Sequence, residues 1–502
     1  MFCTCIAVIV VLMAGQPLAE QTHRALGPVL GNPRWLVCGS EYVALSGNGL
    51  WVLLPDKDMS VAEHNEHAVR WGANSNRTSL FSFCHIEELA PWQRRGPGTA
   101  NDGKPKYDLN AFSKAYWQRA VAYVRDCARQ GIYPVIQFWG ECYIEGHPDA
   151  ENRWNVHPFN PDNNVNDLAG LPMGMADAGT DDAFYNTDNA PLIALQDRFV
   201  KKALDELAAF PVIWDIGNEV GLDTRISHKW IRHWAHFFDA YEASHPGITL
   251  LLTVDTNGAH GHYEAIENLD VVNVHGFHES QPFTLDGDPL SNPDDSRVHV
   301  KRVQAALNRR FLTFKKPLIN TRIVSDPDRG RPLPDRPGNA LETRHILWAY
   351  FFGGAHFISF RTQREQSWAA PFLTTEHQQI HLREFIDSFE FWKCEPRVGD
   401  VVAGDDAAVL AETGRQYAFY APNGNHFNGR FTANLSEAAD ARFLARWFDP
   451  RHGGFGEPFS VTAGPSVVFE LPTDQDWAVL LTLPGDCGAT ATSMMGSCQQ
   501  VK

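Results

Sequence analysis

Short apolar runs rich in β-branched and aromatic residues alternate with helix-like segments along most of the chain. Trp35–Gly39, Arg77–Phe83, Tyr133–Phe138, Pro211–Glu219, Leu250–Asp255, Val271–His275, Pro317–Thr321 and His356–Phe360 read as eight strands. Their near-continuous hydrophobicity suits strands covered on both faces. Between the second and third, Phe112, Tyr116, Ala120, Tyr123 and Cys127 share one helix face. Before the fourth, Leu192, Leu195, Phe199, Ala203 and Leu207 do the same, with Pro191 placed to start the helix. This alternation predicts an α/β fold, a (β/α)8 TIM barrel with insertions. A doubly wound sheet is the alternative, but no G-x-G-x-x-G follows the first strand.

After a predicted helix at Glu376–Trp392 the period changes. Ala407–Ala411, Gln416–Tyr420, Arg430–Leu435, Leu444–Phe448, Ser466–Leu471 and Ala478–Thr482 read as short strands divided by turns, a small all-β sandwich. The expected organisation is a signal peptide at 1–19, a barrel at 20–392, a sandwich at 393–485 and a polar tail at 486–502. The leader rests on the apolar run Cys5–Ala14 followed by Pro17-Leu18-Ala19, which is too short to span a bilayer. It predicts a secreted or periplasmic protein with no membrane insertion. Polar segments at 140–189, 277–295 and 325–338 follow strands three, six and seven, where they would wall the carboxyl-end face of a barrel.

Sixty acidic against 43 basic residues give a formal charge of −17, which argues against nucleic acid or anionic membranes as partners. Fifteen Trp and 31 Phe supply a large aromatic stock, most of it for the core. Seven cysteines follow the leader, so at least one is a free thiol in the monomer; Cys487 and Cys498 can close a tail loop. With no C-x-x-C and no H-E-x-x-H, no metal and no cofactor is expected. The pairs His260/His262 and His275/His278 lack a carboxylate at ligand spacing, and Asn160–Asp167 is at most a weak calcium loop without the EF-hand glycine and glutamate.

Residues at the strand ends form the candidate site: Glu41, Arg77, Trp139 with Glu141, Asn218 with Glu219, Asp255 with Asn257, His275, Arg322 and Arg361. A half-shielded carboxylate at such a tip can hold a proton near neutral pH and deliver it to a leaving oxygen. No G-x-S-x-G elbow and no glycine-rich phosphate cradle is present. Carboxylates, amides and aromatics together suit a carbohydrate, while the bland role for each carboxylate is an ion pair or a helix cap.

The strand series with Gly217-Asn218-Glu219 at the end of strand four resembles the clan of retaining (β/α)8 glycoside hydrolases that includes cellulase-like enzymes. Trp71-Gly-Ala-Asn-Ser-Asn-Arg77 is similar to the clan's entry to strand two, and Val274-His275-Gly276 to its sixth strand. The resemblance implies Glu219 as acid/base, Asn218 as donor to a sugar 2-hydroxyl, Arg77 as support for the catalytic carboxylates and His275 bordering the same sugar. Arg446–Gly453 with Pro472–Trp477 looks like the C-terminal sandwich of many bacterial cellulase-like proteins, which carries a collagen-binding label. Bracing the barrel is the plainer role for it.

Strand seven departs from this pattern. It reads Lys316-Pro-Leu-Ile-Asn-Thr-Arg322, with Arg322 where the clan has its nucleophilic Glu. A guanidinium can neither attack an anomeric carbon nor leave a neighbouring acid its proton. Retention needs carboxyl groups about 5–5.5 Å apart, whereas inversion tolerates about 6.5–9.5 Å and a partner from another strand. Glu141 is the first candidate for that second carboxylate, ahead of Asp255, Glu279 and Asp326, with Trp139 beside it to stack on a sugar. The alternative is a degenerate hydrolase that binds acidic or sulfated glycans without cutting them, with Arg322 and Arg361 as the grip. A structural or adhesion protein using the sandwich is a third reading. The oligomeric state is not encoded in any motif.

Overall fold

The computed structural model describes residues 25–50, 53–80, 89–140, 153–174, 183–218, 228–255, 268–274, 300–323, 338–361, 373–403, 407–422 and 429–484. Three short antiparallel strands come first, β1 (Leu26–Pro28), β2 (Leu36–Cys38) and β3 (Glu41–Val43). The parallel strands β4 (Ser46–Leu50) and β5 (Ser75–Ser79) follow, then a hairpin of β6 (Trp92–Thr99) and β7 (Pro105–Phe112). The parallel series continues through β8 (Tyr133–Gly140), β9 (Ile213–Asn218), β10 (Leu251–Thr253), β11 (Val272–Asn273), β12 (Leu318–Ile323) and β13 (His356–Arg361). Eight of these form one sheet in the order β10-β9-β8-β5-β4-β13-β12-β11, each beside its neighbour in sequence. The two edges meet: the N–H groups of Asp270 and Val271 donate to the Leu252 carbonyl at 2.9 and 3.2 Å, and Thr253 Oγ1 donates to the Val271 carbonyl at 2.8 Å. The predicted (β/α)8 barrel is therefore the observed fold.

The first barrel strand is β4, not the predicted Trp35–Gly39. Its sequence, Ser-Gly-Asn-Gly-Leu, carries almost no apolar signal. A Cβ at Gly47 would stand 1.8 Å from the Ser75 carbonyl oxygen, so glycine is what lets β4 reach β5. The more hydrophobic β2 belongs instead to a stopper. Leu26, Leu36, Cys38, Val43 and Leu45 pack under Tyr133, Val135, Ile213, Leu251, Ile319 and Ile358 and seal the amino end of the barrel. Glu41 lies in that stopper, where burial raises the Tyr133 phenol well above the usual range and the Glu41 charge adds to it. It stands at the wrong end for catalysis.

The predicted helices form, but Phe112 ends β7 and does not join the first helix, and the helix predicted at Glu376–Trp392 runs Leu373–Ile386. Lys114–Gln130 starts at Ser113, whose hydroxyl accepts from the Tyr116 N–H at 3.4 Å, and ends at Gly131 with φ 72°. Ala190–Leu207 has Asn189 as its cap and a proline in its first turn. The segment 153–174 is held by amides in place of a ladder. Asn160 donates to the Trp154 and Gly174 carbonyls at 3.0 and 2.8 Å, and Asn164 to those of Pro158 and Asn160 at 2.9 Å each. Their own oxygens accept the N–H groups of Asp162 and Asn166, both at 2.9 Å. These amides brace the backbone of the segment.

The remaining strands are β14 (Glu395–Pro396), β15 (Ala408–Glu412), β16 (Gln416–Ala421), β17 (Arg430–Ala433), β18 (Arg442–Phe448), β19 (Phe459–Thr462), β20 (Val467–Glu470) and β21 (Trp477–Thr482). A six-stranded antiparallel sheet, β14-β15-β16-β21-β18-β19, faces the pair β17-β20. Phe419, Phe431 and Phe469 fill the space between, at centroid distances of 5.0–5.4 Å. The sheet's other face lies on the helices Gly338–Phe352 and Leu373–Ile386, with Trp348 stacked on Tyr420 at 4.7 Å and Phe385 against Phe448. Arg344 closes the joint with two bonds to the buried Asp476, at 2.7 and 2.8 Å, and the Tyr420 hydroxyl donates to the same carboxylate at 2.9 Å. Among the described residues Cys38, Cys127 and Cys394 are buried free thiols, and no helix is long and apolar enough to cross a membrane.

Candidate active site at the carboxyl ends of the barrel strands

Inward positions of the barrel change from apolar to polar along the strands. Above Val135, Ile213, Leu251 and Ile319 stand Arg77, Gln137, Asp215, Thr253, Asn273 and Thr321, all buried. A strand with a two-residue period puts Ile213 and Asp215 on the same side, and the same rule raises Arg77 above Ser75. Arg77 is therefore mid-strand and internal rather than at a tip.

Arg77 Nη2 bridges two carboxylates, Asp215 Oδ2 at 2.8 Å and Asp255 Oδ2 at 2.6 Å, with every partner at 0% side-chain exposure. Asp215 Oδ1 accepts the N–H of Asp255 at 3.0 Å and that of Gly217 at 3.3 Å. Thr321 Oγ1 donates to Asp255 Oδ2 at 3.3 Å, and Asn273 Nδ2 donates to Thr321 Oγ1 at 2.9 Å. One polar chain thus ties together β5, β9, β10, β11 and β12 under the mouth. One cation faces two carboxylates, so both cannot be ionised without an uncompensated buried charge. Burial pushes Asp215 up to about 7; Arg77 opposes this and the charge of Asp255 adds to it. Burial works against the Arg77 cation, but Asp255 and Asp215 outweigh it and hold the guanidinium above its ordinary range.

Asn218 is the last residue of β9 and 0% exposed. Neither its amide nitrogen nor its amide oxygen has a partner among the described residues, and the same holds for Arg77 Nε and Nη1. A buried amide with neither end paired among the described residues can receive a polar group.

The sequence-derived residues separate into groups. Arg77, Asn218 and Asp255 lie together around Asp215. Asp255 is committed to Arg77, which gives it an ion-pair role in place of an open base. Trp139 is 2% exposed and packs into the aromatic layer between barrel and helices, 5.2 Å from Phe199 and 5.5 Å from Phe184. That packing leaves its indole no open face for stacking on a sugar. Glu219, Glu141, His275, Asn257, Glu279 and Asp326 lie outside the described residues. Arg322 and Arg361 lie in β12 and β13, with their side chains outside the description. Asp215 went unlisted in the sequence, although a signal was present: a charged residue inside Val212-Ile-Trp-Asp-Ile216 needs a buried partner.

Residues 86–286 match a family model described as "Domain of unknown function (DUF6298)", and residues 398–482 one described as "Putative collagen-binding domain of a collagenase". No curated protein matches the chain. A solved structure entitled "Glycoside hydrolase" superposes with a TM-score of 0.61 at 14% identity, over 92% of this chain and 97% of that one. A glycoside hydrolase family 5 structure from Bacteroides vulgatus ATCC 8482 gives 0.60 at 14% identity, over 92% and 93%. At this identity the likeness is one of fold: a glycoside-hydrolase-like barrel with a C-terminal sandwich.

Proposed function

We propose that this chain is an exported glycoside hydrolase acting on a polysaccharide or oligosaccharide, with Glu219 as its general acid/base. The observation that carries this most is Asn218, a buried amide with no partner among the described residues, at the end of a barrel strand and adjacent in sequence to Glu219. An amide so placed donates to a sugar hydroxyl and accepts another, and a hydrogen bond that strengthens as the anomeric carbon becomes cationic lowers the barrier. Glu219 gives its proton to the glycosidic oxygen as the bond to the anomeric carbon breaks. Strand β12 contains no Asp or Glu, so the second carboxylate comes from elsewhere, Glu141 first. As a base it takes a proton from the water that attacks the opposite face, an inverting displacement. Arg77, Asp215 and Asp255 act beneath, fixing the ends of β9 and β10. The region matched by the collagen-binding model braces the barrel in this account, since it shares a core with the barrel helices.

The test is release of reducing ends from a panel of plant and microbial polysaccharides. Hydrolysis is expected for at least one, with Glu219→Gln lowering kcat by about 10²–10⁴-fold. The lack of a carboxylate in β12 also favours a second reading, a degenerate hydrolase that binds glycans without cleaving them. Binding on a glycan array with no hydrolysis anywhere in the panel would select that reading. Hydrolysis unaffected by Glu219→Gln would remove the first.

A further inference from the structure

We infer that the hairpin β6–β7 carries a second binding site, a rim subsite that takes a sugar bearing a carboxylate or a sulfate ester. This rests on the reading of the chain as carbohydrate-active, but not on Glu219 or on cleavage. The hairpin follows the carboxyl end of β5. It sits among the crossovers of neighbouring strands: the Leu89 N–H donates to the Pro55 carbonyl at 3.2 Å, and Tyr107 exchanges backbone bonds with Asn163 and Val165 at 2.8 and 3.0 Å. Those partners follow β4 and β8, so the hairpin stands at the same end of the barrel as Asn218.

A cavity of about 400 Å³ opens on it, lined by Trp92, Gln93, Arg94, Arg95, Lys104 and Tyr107 among others. That size is within the range of small-ligand pockets. In a regular strand the consecutive residues Gln93, Arg94 and Arg95 would point to alternate faces. Here the register of β6 on β7 shifts between Trp92 and Gln93 and again between Arg94 and Gly96, and all three line one cavity. Bulges re-aim side chains in this way next to functional sites.

The charge is of the matching kind. Between residues 92 and 112 four cations (Arg94, Arg95, Lys104, Lys106) meet two carboxylates (Asp102, Asp108), in a chain of net charge −17. Arg94 is fixed by Asp102 at 2.6 Å and by stacking 3.8 Å over Tyr107. Arg95 pairs with Asp108 at 2.7 Å but keeps 59% of its side chain exposed. The backbone N–H of Lys104 donates to Asp102 Oδ1 at 3.1 Å, while its ammonium has no hydrogen bond or ion pair among the described residues; it shares the cavity with Gln93, whose Nε2 is taken by the Phe112 carbonyl at 2.9 Å. Gln93 Oε1 is left to accept a hydroxyl, while Lys104 and the exposed edge of Arg95 meet an anion. An acceptor set among donors is what distinguishes a sugar-borne anion from a bare one.

Calorimetry on the full-length Glu219→Gln protein tests this, with trigalacturonate, a sulfated galactose trisaccharide and neutral galactotriose as probes. At least one anionic probe should bind about tenfold or more tightly than the neutral one, weakening as salt rises. Whichever anionic probe binds identifies carboxylate or sulfate. Lys104→Glu should lower that affinity by about tenfold and Arg95→Gln by less, with melting temperatures unchanged because both side chains are exposed. Equal binding of neutral and anionic probes, no binding of either anionic probe, or unchanged affinity in Lys104→Glu each overturns the subsite. Anion-selective binding lost in Lys104→Glu, with no hydrolysis of any glycan by the unaltered protein, would sink the hydrolase reading and leave the subsite standing.

Discussion

The Asp215 carboxyl is raised by burial against the pull of Arg77, and the charge of Asp255 adds to the rise. Its folded pKa, about 7, lies above its ordinary value, so its contribution to stability is full below about pH 4 and is lost as pH rises towards 7. Between those limits the slope approaches about 1.4 kcal/mol per pH unit. Asp215→Asn should remove that slope, so that the stability difference between the unaltered protein and the variant shrinks from pH 4.5 to 7.5 in urea titrations. A constant difference across the range would exclude a raised Asp215 carboxyl. The same triad shows how far single residues could be read from the sequence. Arg77 stood out in the sequence, but its partner Asp215 did not, because membership of an apolar run hid its inward phase. Trp139 misled in the opposite sense: proximity to a strand end suggested a stacking face, whereas packing against Phe199 and Phe184 uses it up. Glu219, read from the sequence as the acid/base at the tip of strand four, lies outside the described residues.

Elements were legible where periodicity was driven by burial and illegible where geometry demanded something else. The helices Lys114–Gln130 and Ala190–Leu207 carry stripes, caps and a starting proline, all local signals. Strand β4 carries none, because its job is close approach to β5. Gly47→Ala should therefore destabilise by about 3 kcal/mol or more, since the carbonyl it meets belongs to backbone and cannot swing away. Gly27→Ala, with nothing within 4 Å of the new methyl, should stay within about 0.5 kcal/mol. Chemical denaturation of the two variants checks this, and equal effects would contradict the assigned role of Gly47. The β6–β7 hairpin escaped prediction for a related reason: its bulges break the alternation by which strands are recognised.

At the scale of the whole molecule, burial keeps His157, His345 and His356 neutral, with pKa values lowered to about 3, 4 and 3. For these groups the sign is opposite to Asp215: the stability they contribute is present above about pH 6.5 and lost as pH falls towards those values. Asp270, pushed up to about 6 by burial, and Asp387, also raised by burial, act with Asp215, but the summed histidine shifts predict a melting temperature that drops between pH 7 and pH 4.5; a rise would show that other groups dominate. The joint at Arg344 and Asp476 should be equally visible. Asp476→Asn, which strands a guanidinium that is only 7% exposed, should cost about 3–5 kcal/mol and lower the whole unfolding transition as one. Separate barrel and sandwich transitions in calorimetry would contradict the shared core.

That core also bears on inheritance. Sequence models divide this chain as though its last strands were a bead on a string, free to be exchanged between proteins. Yet Trp348, Phe352 and Phe385 on the barrel helices have Tyr420 and Phe448 of the sandwich as neighbours. A gene that lost its end would produce a barrel with an aromatic wound, open to aggregation before any substrate met it. A cut at this seam would therefore expose apolar surface on both halves, not on one.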